Sequence, residues 1–202
     1  HGAVTNNVLQ SLEEKSIKLF NWFKDNNLKG NPDKCHLLLN EIDDVSVEIN
    51  EFKISNSNSE KLLGIKFDNR LTFDEHLSDL CVKVSRKIWA LARIAPFMNI
   101  YKRKLIMNAF FTAQFNYCPL IWMFHSCENN RKINRLHERC LRIVYNDYIS
   151  TFENLLNQDG SVSIHNKNLQ TLAIEMFKVA NGMSPNIVSE IFRQKNLKTL
   201  TC

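Results

Sequence analysis

The 202-residue chain lacks the patterns that define several common classes of protein. Its 5 glycines form no glycine-rich phosphate loop, and no serine or cysteine lies in a recognised nucleophile motif. No apolar run approaches the roughly 18 to 20 residues that a membrane span requires, and the start of the chain carries no basic and apolar leader. We therefore expect an intracellular protein, nuclear or cytoplasmic, without independent catalysis. The first residue is His1 rather than methionine, so we expect the natural N-terminus to lie upstream.

Cysteine is present but shows no C-x-x-C pair. Several of the six cysteines lie at apolar helical positions, which predicts reduced thiols in the core. A group of soft ligands could in principle hold zinc, but its spacing lacks the short paired loops of structural zinc sites, so we expect no metal. This group consists of Cys118, His125, Cys127, His137 and Cys140.

Positive charge is concentrated in one stretch of the chain. Residues 1–76 hold 9 Lys and Arg against 13 Asp and Glu, residues 77–145 hold 12 against 3, and residues 146–202 hold 5 against 5. A local excess of this size favours a polyanionic partner, although any single basic cluster is more often solvated surface.

The apolar pattern predicts an α+β fold. Apolar residues at helical spacing predict a helix over 8–27, and short runs between Cys35 and Phe67 predict a small antiparallel sheet. Helical spacing then returns, with predicted helices over 73–95, 99–117, 130–145 and 164–181 and a short one after Pro185. Capping boxes are predicted at Thr72 with Glu75 and at Ser150 with Glu153.

Several segments, read in order, resemble successive blocks of the reverse transcriptases of non-LTR (LINE-type) retrotransposons. Each block alone is weak, but their order and spacing are fairly specific, and the similarity is strongest over residues 28–145. The blocks are Leu28–Lys34 (LKGNPDK), Lys61–Asp68 (KLLGIKFD), Leu71–His76 (LTFDEH), Tyr117–Trp122 (YCPLIW), Ile133–Arg139 (INRLHER) and Met176–Lys178 (MFK).

The resemblance implies a division into parts. Residues 1–72 are similar to the end of the polymerase palm, 73–146 to its helical thumb and 147–202 to a C-terminal helical extension. Lys34 would lie near the triphosphate of the incoming deoxynucleotide, where an ammonium can neutralise or protonate the leaving pyrophosphate. A surface lysine beside a turn is the alternative. Leu63, Gly64 and Ile65 resemble the primer grip, a hairpin that holds the 3′ end of the growing strand, although an isolated glycine can equally mark a bulge.

The basic residues of 77–145 match the position of the thumb, which holds an RNA/DNA primer–template duplex through its phosphates. In two helices they recur opposite the apolar stripe, and in a third they fill the first turn, where the macrodipole is already positive and an anion should be nearby. These candidate nucleic-acid-binding residues are Lys83, Arg86, Lys87, Arg93, Lys102, Arg103, Lys104, Arg131, Lys132, Arg135, Arg139 and Arg142.

The paired carboxylates that hold the two metal ions of such polymerases are not recognisable here. The chain contains one aspartate doublet, Asp43–Asp44, but it follows the Lys34 block instead of preceding the first helix, so we interpret it as turn residues. Magnesium is expected for the intact polymerase and no cofactor for this chain. The predicted function is therefore that of a fragment of an RNA-directed DNA polymerase. The alternatives are a non-enzymatic basic helical module that binds nucleic acid or protein, and a decayed element without function.

Overall fold

The structure, a computed structural model, describes residues 2–40, 45–49 and 52–188. The chain divides into two compact units, His1–His76 and Leu77–Cys202, which we call the first and second unit. Residues 77–146 of the predicted thumb thus fall in the same unit as the predicted C-terminal extension, and the boundary of the first unit lies four residues beyond the predicted end of the palm.

The first unit consists of one helix and two β-hairpins. Helix α1 covers Gly2–Asp25, longer at its start than predicted, and a 3₁₀ turn at Pro32–Lys34 follows. Strands β1 (Ser46–Ile49) and β2 (Phe52–Ser55) form one antiparallel pair, and β3 (Ser59–Leu62) and β4 (Ile65–Asp68) form the other. The α+β class is confirmed, with the predicted sheet resolved into two separate two-stranded sheets in the part of the chain that is described.

Helix α1 packs on the first hairpin. Val47 and Ile49 alternate with the exposed Glu48 along β1, so both point to the same face, and they form a core with Leu37. Apolar side chains of α1, including Leu12 and Phe20, cover that core.

The second unit is helical among its described residues. Its α-helices are α2 (Asp74–Ile94, which begins in the first unit), α3 (Ile100–Met107), α4 (Ala113–Phe115), α5 (Pro119–Trp122), α6 (Cys127–Tyr145), α7 (Phe152–Asp159) and α8 (Ile164–Ala180). A 3₁₀ turn at Ala95–Phe97 contains Pro96, and a π-helix at Asn108–Thr112 interrupts the helix predicted over 99–117. The short helix predicted after Pro185 lies only partly within the described residues, which end at residue 188.

The core of this unit follows the predicted stripes. In α2 the buried residues are Leu77, Leu80, Val84, Ile88 and Leu91, which recur at intervals of three and four. A chain of aromatic contacts continues the core. Phe111 packs against Phe115 with 5.0 Å between ring centroids and stacks on the His137 ring at 4.7 Å.

Two caps differ from the predicted ones. The Thr72 N–H, which a capping box would pair with Glu75, donates to Asp68 Oδ1 at 3.0 Å, and Thr72 Oγ1 accepts from Asp74 N at 3.4 Å. Asp68 thus organises the turn before α2, because it also accepts from Phe73 N. At α7 the capping residue is Thr151, one residue later than predicted.

Candidate nucleic-acid interface

Helix α6 presents the most continuous basic surface of the described residues. It begins after Ser126, whose side chain accepts from Asn129 N, and ends at Asn146 in the left-handed conformation. At about 100° per residue its basic residues fall within an arc of about 100°, opposite the buried Ile133, Leu141 and Val144. We call this arc the basic face; its members are Arg131, Lys132, Arg135, Arg139 and Arg142.

Carboxylates neutralise two positions of the basic face. Lys132 lies 3.1 Å from Glu128 Oε1, and Arg142 lies 2.7 Å from Glu138 Oε1, both one helical turn apart. Arg131 and Arg135 are exposed and make no ion pair with any described residue. Their guanidinium groups are therefore available to an external anion.

A groove of about 370 Å³ runs between α2 and α6 along one edge of the basic face. Cys81, Val82 and Ser85 line it from α2, and Lys132, Arg135, Leu136 and Arg139 line it from α6. The Arg139 guanidinium stands over the indole of Trp89, 4.6 Å from the ring centroid. Trp89 is 58% exposed, so an aromatic surface adjoins the cations of the groove.

Sequence reasoning did not single out Trp89. The sequence does place Trp89 about 140° from the centre of the apolar stripe of α2. A tryptophan on the polar side of a helix does not belong to the core, and this position could have marked it as a candidate binding residue.

The basic residues of α2 divide between two flanks. Arg86 and Arg93 are exposed on the flank nearer the groove, whereas Lys83 and Lys87 lie on the opposite flank. The Lys87 ammonium stands 5.7 Å from the centroid of the Phe110 ring. Burial lowers the pKa of Lys87, and repulsion from Lys83 lowers it further. Of the four basic residues of α2 that were predicted to bind nucleic acid, Arg86 and Arg93 therefore lie toward the groove.

Two of the three cations in the first turn of α3, Arg103 and Lys104, bind groups within the protein. Asn99 caps the helix by accepting from Lys102 N, and the Lys102 side chain is exposed. Arg103 Nε donates to the carbonyl oxygens of Ala95 at 2.8 Å and Met98 at 3.0 Å. Its Nη1 also reaches the carbonyls at the end of α6, those of Ile143 and Val144.

Lys104 finds its anion inside the protein. Its Nζ lies 2.9 Å from Asp159 Oδ1, which also accepts from the Tyr145 hydroxyl at 2.7 Å. The hydrogen bond to Asp159 raises the pKa of Lys104. Burial alone would raise the pKa of Asp159, but hydrogen bonds from Lys104 and Tyr145 lower it. The anion expected near the cations of this turn is therefore the carboxylate of Asp159, and no phosphate is required there.

The first unit holds the residues predicted near the nucleotide and the primer end. Lys34 is exposed at the end of the 3₁₀ turn. The backbone N–H of Lys34 donates to Asn31 O at 3.1 Å. Gly30 packs against α1 so closely that a Cβ there would lie 2.6 Å from Phe20 Cε1, which fixes the turn. Two residues beyond Lys34, His36 Nδ1 lies 3.3 Å from Glu60 Oε1 of β3.

Leu63 and Gly64 form the two-residue loop between β3 and β4, and Ile65 opens β4. Both loop residues have positive φ, 49° and 89°, as in a type I′ turn, so the glycine serves the turn rather than a bulge. Leu63 is 82% exposed at the tip, whereas Ile65 is buried.

Carboxylate and thiol clusters are not found among the described residues. No group of three His, Cys, Asp or Glu side chains there could hold a metal ion, and Asp43–Asp44 lie outside the described residues. The expectation of core thiols is correct for the buried Cys140, whose pKa burial raises to about 12. It is wrong for Cys118 and Cys127, which are exposed, and Cys202 lies outside the described part.

None of the helices in the described ranges combines the length and the apolar composition needed to cross a bilayer. In comparisons with known proteins, no family model, no curated protein and no solved structure matches this chain.

Proposed function

We propose that this chain is the C-terminal part of an RNA-directed DNA polymerase of the LINE type, and that its second unit holds the primer–template duplex. The observation that carries the proposal is the basic face of α6, where Arg131 and Arg135 have no carboxylate partner among the described residues. Phosphate contacts hold a duplex without reading its bases, which a polymerase that copies any sequence requires.

Other features support the same proposal. Arg86 and Arg93 extend the positive surface from α6 toward α2, and Trp89 with its stacked Arg139 offers an aromatic platform at the edge of the groove. The order of the resembling blocks assigns the hairpin tip at Leu63–Gly64 to the primer end and Lys34 to the leaving pyrophosphate. Lys102 belongs to the interface as an exposed cation, whereas Arg103 and Lys104 act in the fold.

The test is salt-dependent binding of an RNA/DNA hybrid by the whole chain. Each phosphate contact contributes about −0.9 to the slope of log K against log salt concentration for B-form DNA, a value we take as a guide for the hybrid. Replacing Arg131 and Arg135 with Ala should therefore make the slope shallower by about one to two units and weaken binding equally for hybrids of different sequence. Arg139 is kept because its removal would also disturb Trp89.

A matched control removes the same charge elsewhere. Lys15 and Lys18 are exposed on α1, so the double alanine variant there should leave the slope unchanged. Binding that does not depend on salt, or two double variants with the same slope, would show that the basic face is ordinary solvated surface.

A further inference from the structure

A second cavity, of about 380 Å³, lies in the second unit away from the basic face. Its wall combines the π-helix, α6, the end of α7 and the first turns of α8. From α6, His137 lines the cavity; it points to the side of the helix opposite the basic face. The polar residues of the wall are Asn108, Thr112, His137, Asp159, Ser161, Lys167 and Gln170.

His137 is the least expected residue of this wall. Its side chain is 97% buried, since only 3% remains exposed, and its Nδ1 has no hydrogen-bond partner among the described residues. Buried polar atoms without partners are rare because each costs about 1–3 kcal/mol. Burial lowers the pKa of His137 to about 4, with the charge of Lys167 acting in the same direction and Asp159 opposing it. The imidazole is therefore neutral at pH 7.

The charges around the cavity favour an anion. Asp159 carries a negative charge, but the Lys104 ammonium at 2.9 Å already balances it, and the Tyr145 hydroxyl donates to it at 2.7 Å. Lys167 carries no carboxylate partner among the described residues, and it lies in the first turns of α8, where the helix macrodipole is positive. The amide groups of Asn108 and Gln170 add hydrogen-bond donors.

The π-helix is a further sign of a site. The Ala113 N–H donates to Asn108 O, five residues back, which widens the helix at the cavity. Asn108 and Thr112 both line the cavity, and Thr112 Oγ1 donates to Asn108 Oδ1 at 3.2 Å. That bond orients the Asn108 side chain, whose NH₂ group has no acceptor among the described residues. Single π turns of this kind occur often at functional sites.

We propose that the cavity walled by His137, Asn108 and Lys167 binds a small organic oxyanion, with Lys167 and the amide donors holding the charged group. The volume lies within the range of about 300–1,000 Å³ that is common for small-molecule sites. The oxyanion is a phosphate monoester or a carboxylate. The inference does not rest on the proposed polymerase role, because the two surfaces lie on opposite sides of α6.

The experiment follows the imidazole nitrogens of His137 by NMR in the whole chain, while adenosine monophosphate, inorganic phosphate, acetate or adenosine is added at millimolar concentrations. We expect adenosine monophosphate to shift the His137 signals and adenosine to leave them unchanged. Inorganic phosphate and acetate separate phosphate recognition from carboxylate recognition.

The variant Lys167→Met should weaken binding of the active probe about ten- to a hundredfold, the range expected for loss of a charge-assisted hydrogen bond. Lys178→Met is the matched control, because Lys178 is on the same helix but pairs with Glu175. Unshifted His137 signals with every probe would overturn the proposal. Equal affinities in the wild type and Lys167→Met would do so as well.

Discussion

The loop at Leu63–Gly64 concentrates backbone strain in a single residue. A bulky side chain with φ near 49° is uncommon, and for L-residues the left-handed conformation costs about 1–2 kcal/mol. Gly64, with φ of 89°, bears no such cost because it has no Cβ. Leu63 therefore lowers the stability of the hairpin, whereas Gly64 suits its position in the turn.

We predict that Gly64→Ala destabilises the β3–β4 hairpin by about 1–2 kcal/mol, because it places a Cβ in the left-handed region. Leu63→Asn should instead stabilise it, since asparagine tolerates that region and Asn-Gly is a preferred pair in type I′ turns. Hydrogen exchange of the β3 and β4 amides measures both changes. Equal protection in the two variants would contradict the turn assignment.

His137 should make stability fall in mild acid. Its pKa in the folded protein is about 4 and its ordinary value is 6.5, so the unfolded chain binds the proton first. The stability that depends on the neutral His137 is fully present above about pH 6.5 and is lost as the pH falls toward 4. The loss in the free energy of unfolding amounts to about 3 kcal/mol. Denaturation of the wild type between pH 7 and 4 measures this loss.

In His137→Gln the free energy of unfolding should depend much less on pH over the same range. Parallel curves for wild type and His137→Gln would mean that the buried imidazole does not titrate as its burial requires.

At the scale of the element, the N-terminal cap of α6 offers a clean test. Ser126 accepts from Asn129 N, so Ser126→Ala should destabilise the second unit by about 1 kcal/mol, whereas Ser126→Gly should cost only a few tenths. Urea denaturation of the two variants measures the difference. Identical midpoints would show that the cap contributes no stability.

The predicted helices were correct where a long apolar stripe decides the structure. In α2 the period of Leu77, Val84 and Leu91 is independent of any distant partner, so the sequence alone specifies it. Ends were less predictable, because Asp68 competes with Glu75 for the Thr72 N–H and the sequence does not rank the two. The π-helix had no recognisable sequence signal.

The candidate site was predictable to the same degree. The basic face of α6 follows from spacing within one helix. Lys104 differs because its partner Asp159 lies 55 residues further along the chain, a contact that only the tertiary structure reveals. Lys83, Arg86 and Lys87 were grouped by their spacing opposite the apolar stripe, which does not tell which flank of α2 faces α6.

For the molecule as a whole, we predict that this chain alone does not extend a primer on an RNA template. In the polymerases that the chain resembles, the aspartate doublet that holds the metal ions precedes the first helix, whereas Asp43–Asp44 follow the Lys34 block. A primer-extension assay with magnesium tests this. Incorporation that disappears when Asp43 and Asp44 are replaced would overturn both the prediction and the interpretation of that doublet.

The π-helix also has a consequence for how the length of this chain can vary. A π turn amounts to an α-helix with one residue inserted, so deleting the exposed Ala109 would let the backbone close into regular α-helical hydrogen bonds. Because the widened turn takes up the extra residue, the deletion would turn Met107 relative to Phe111, both of which are buried, by much less than the roughly 100° that one residue spans in a regular α-helix. Both the backbone hydrogen bonds and the buried side chains therefore allow the loss of one residue here, so the length of this segment can vary by one residue without a new core.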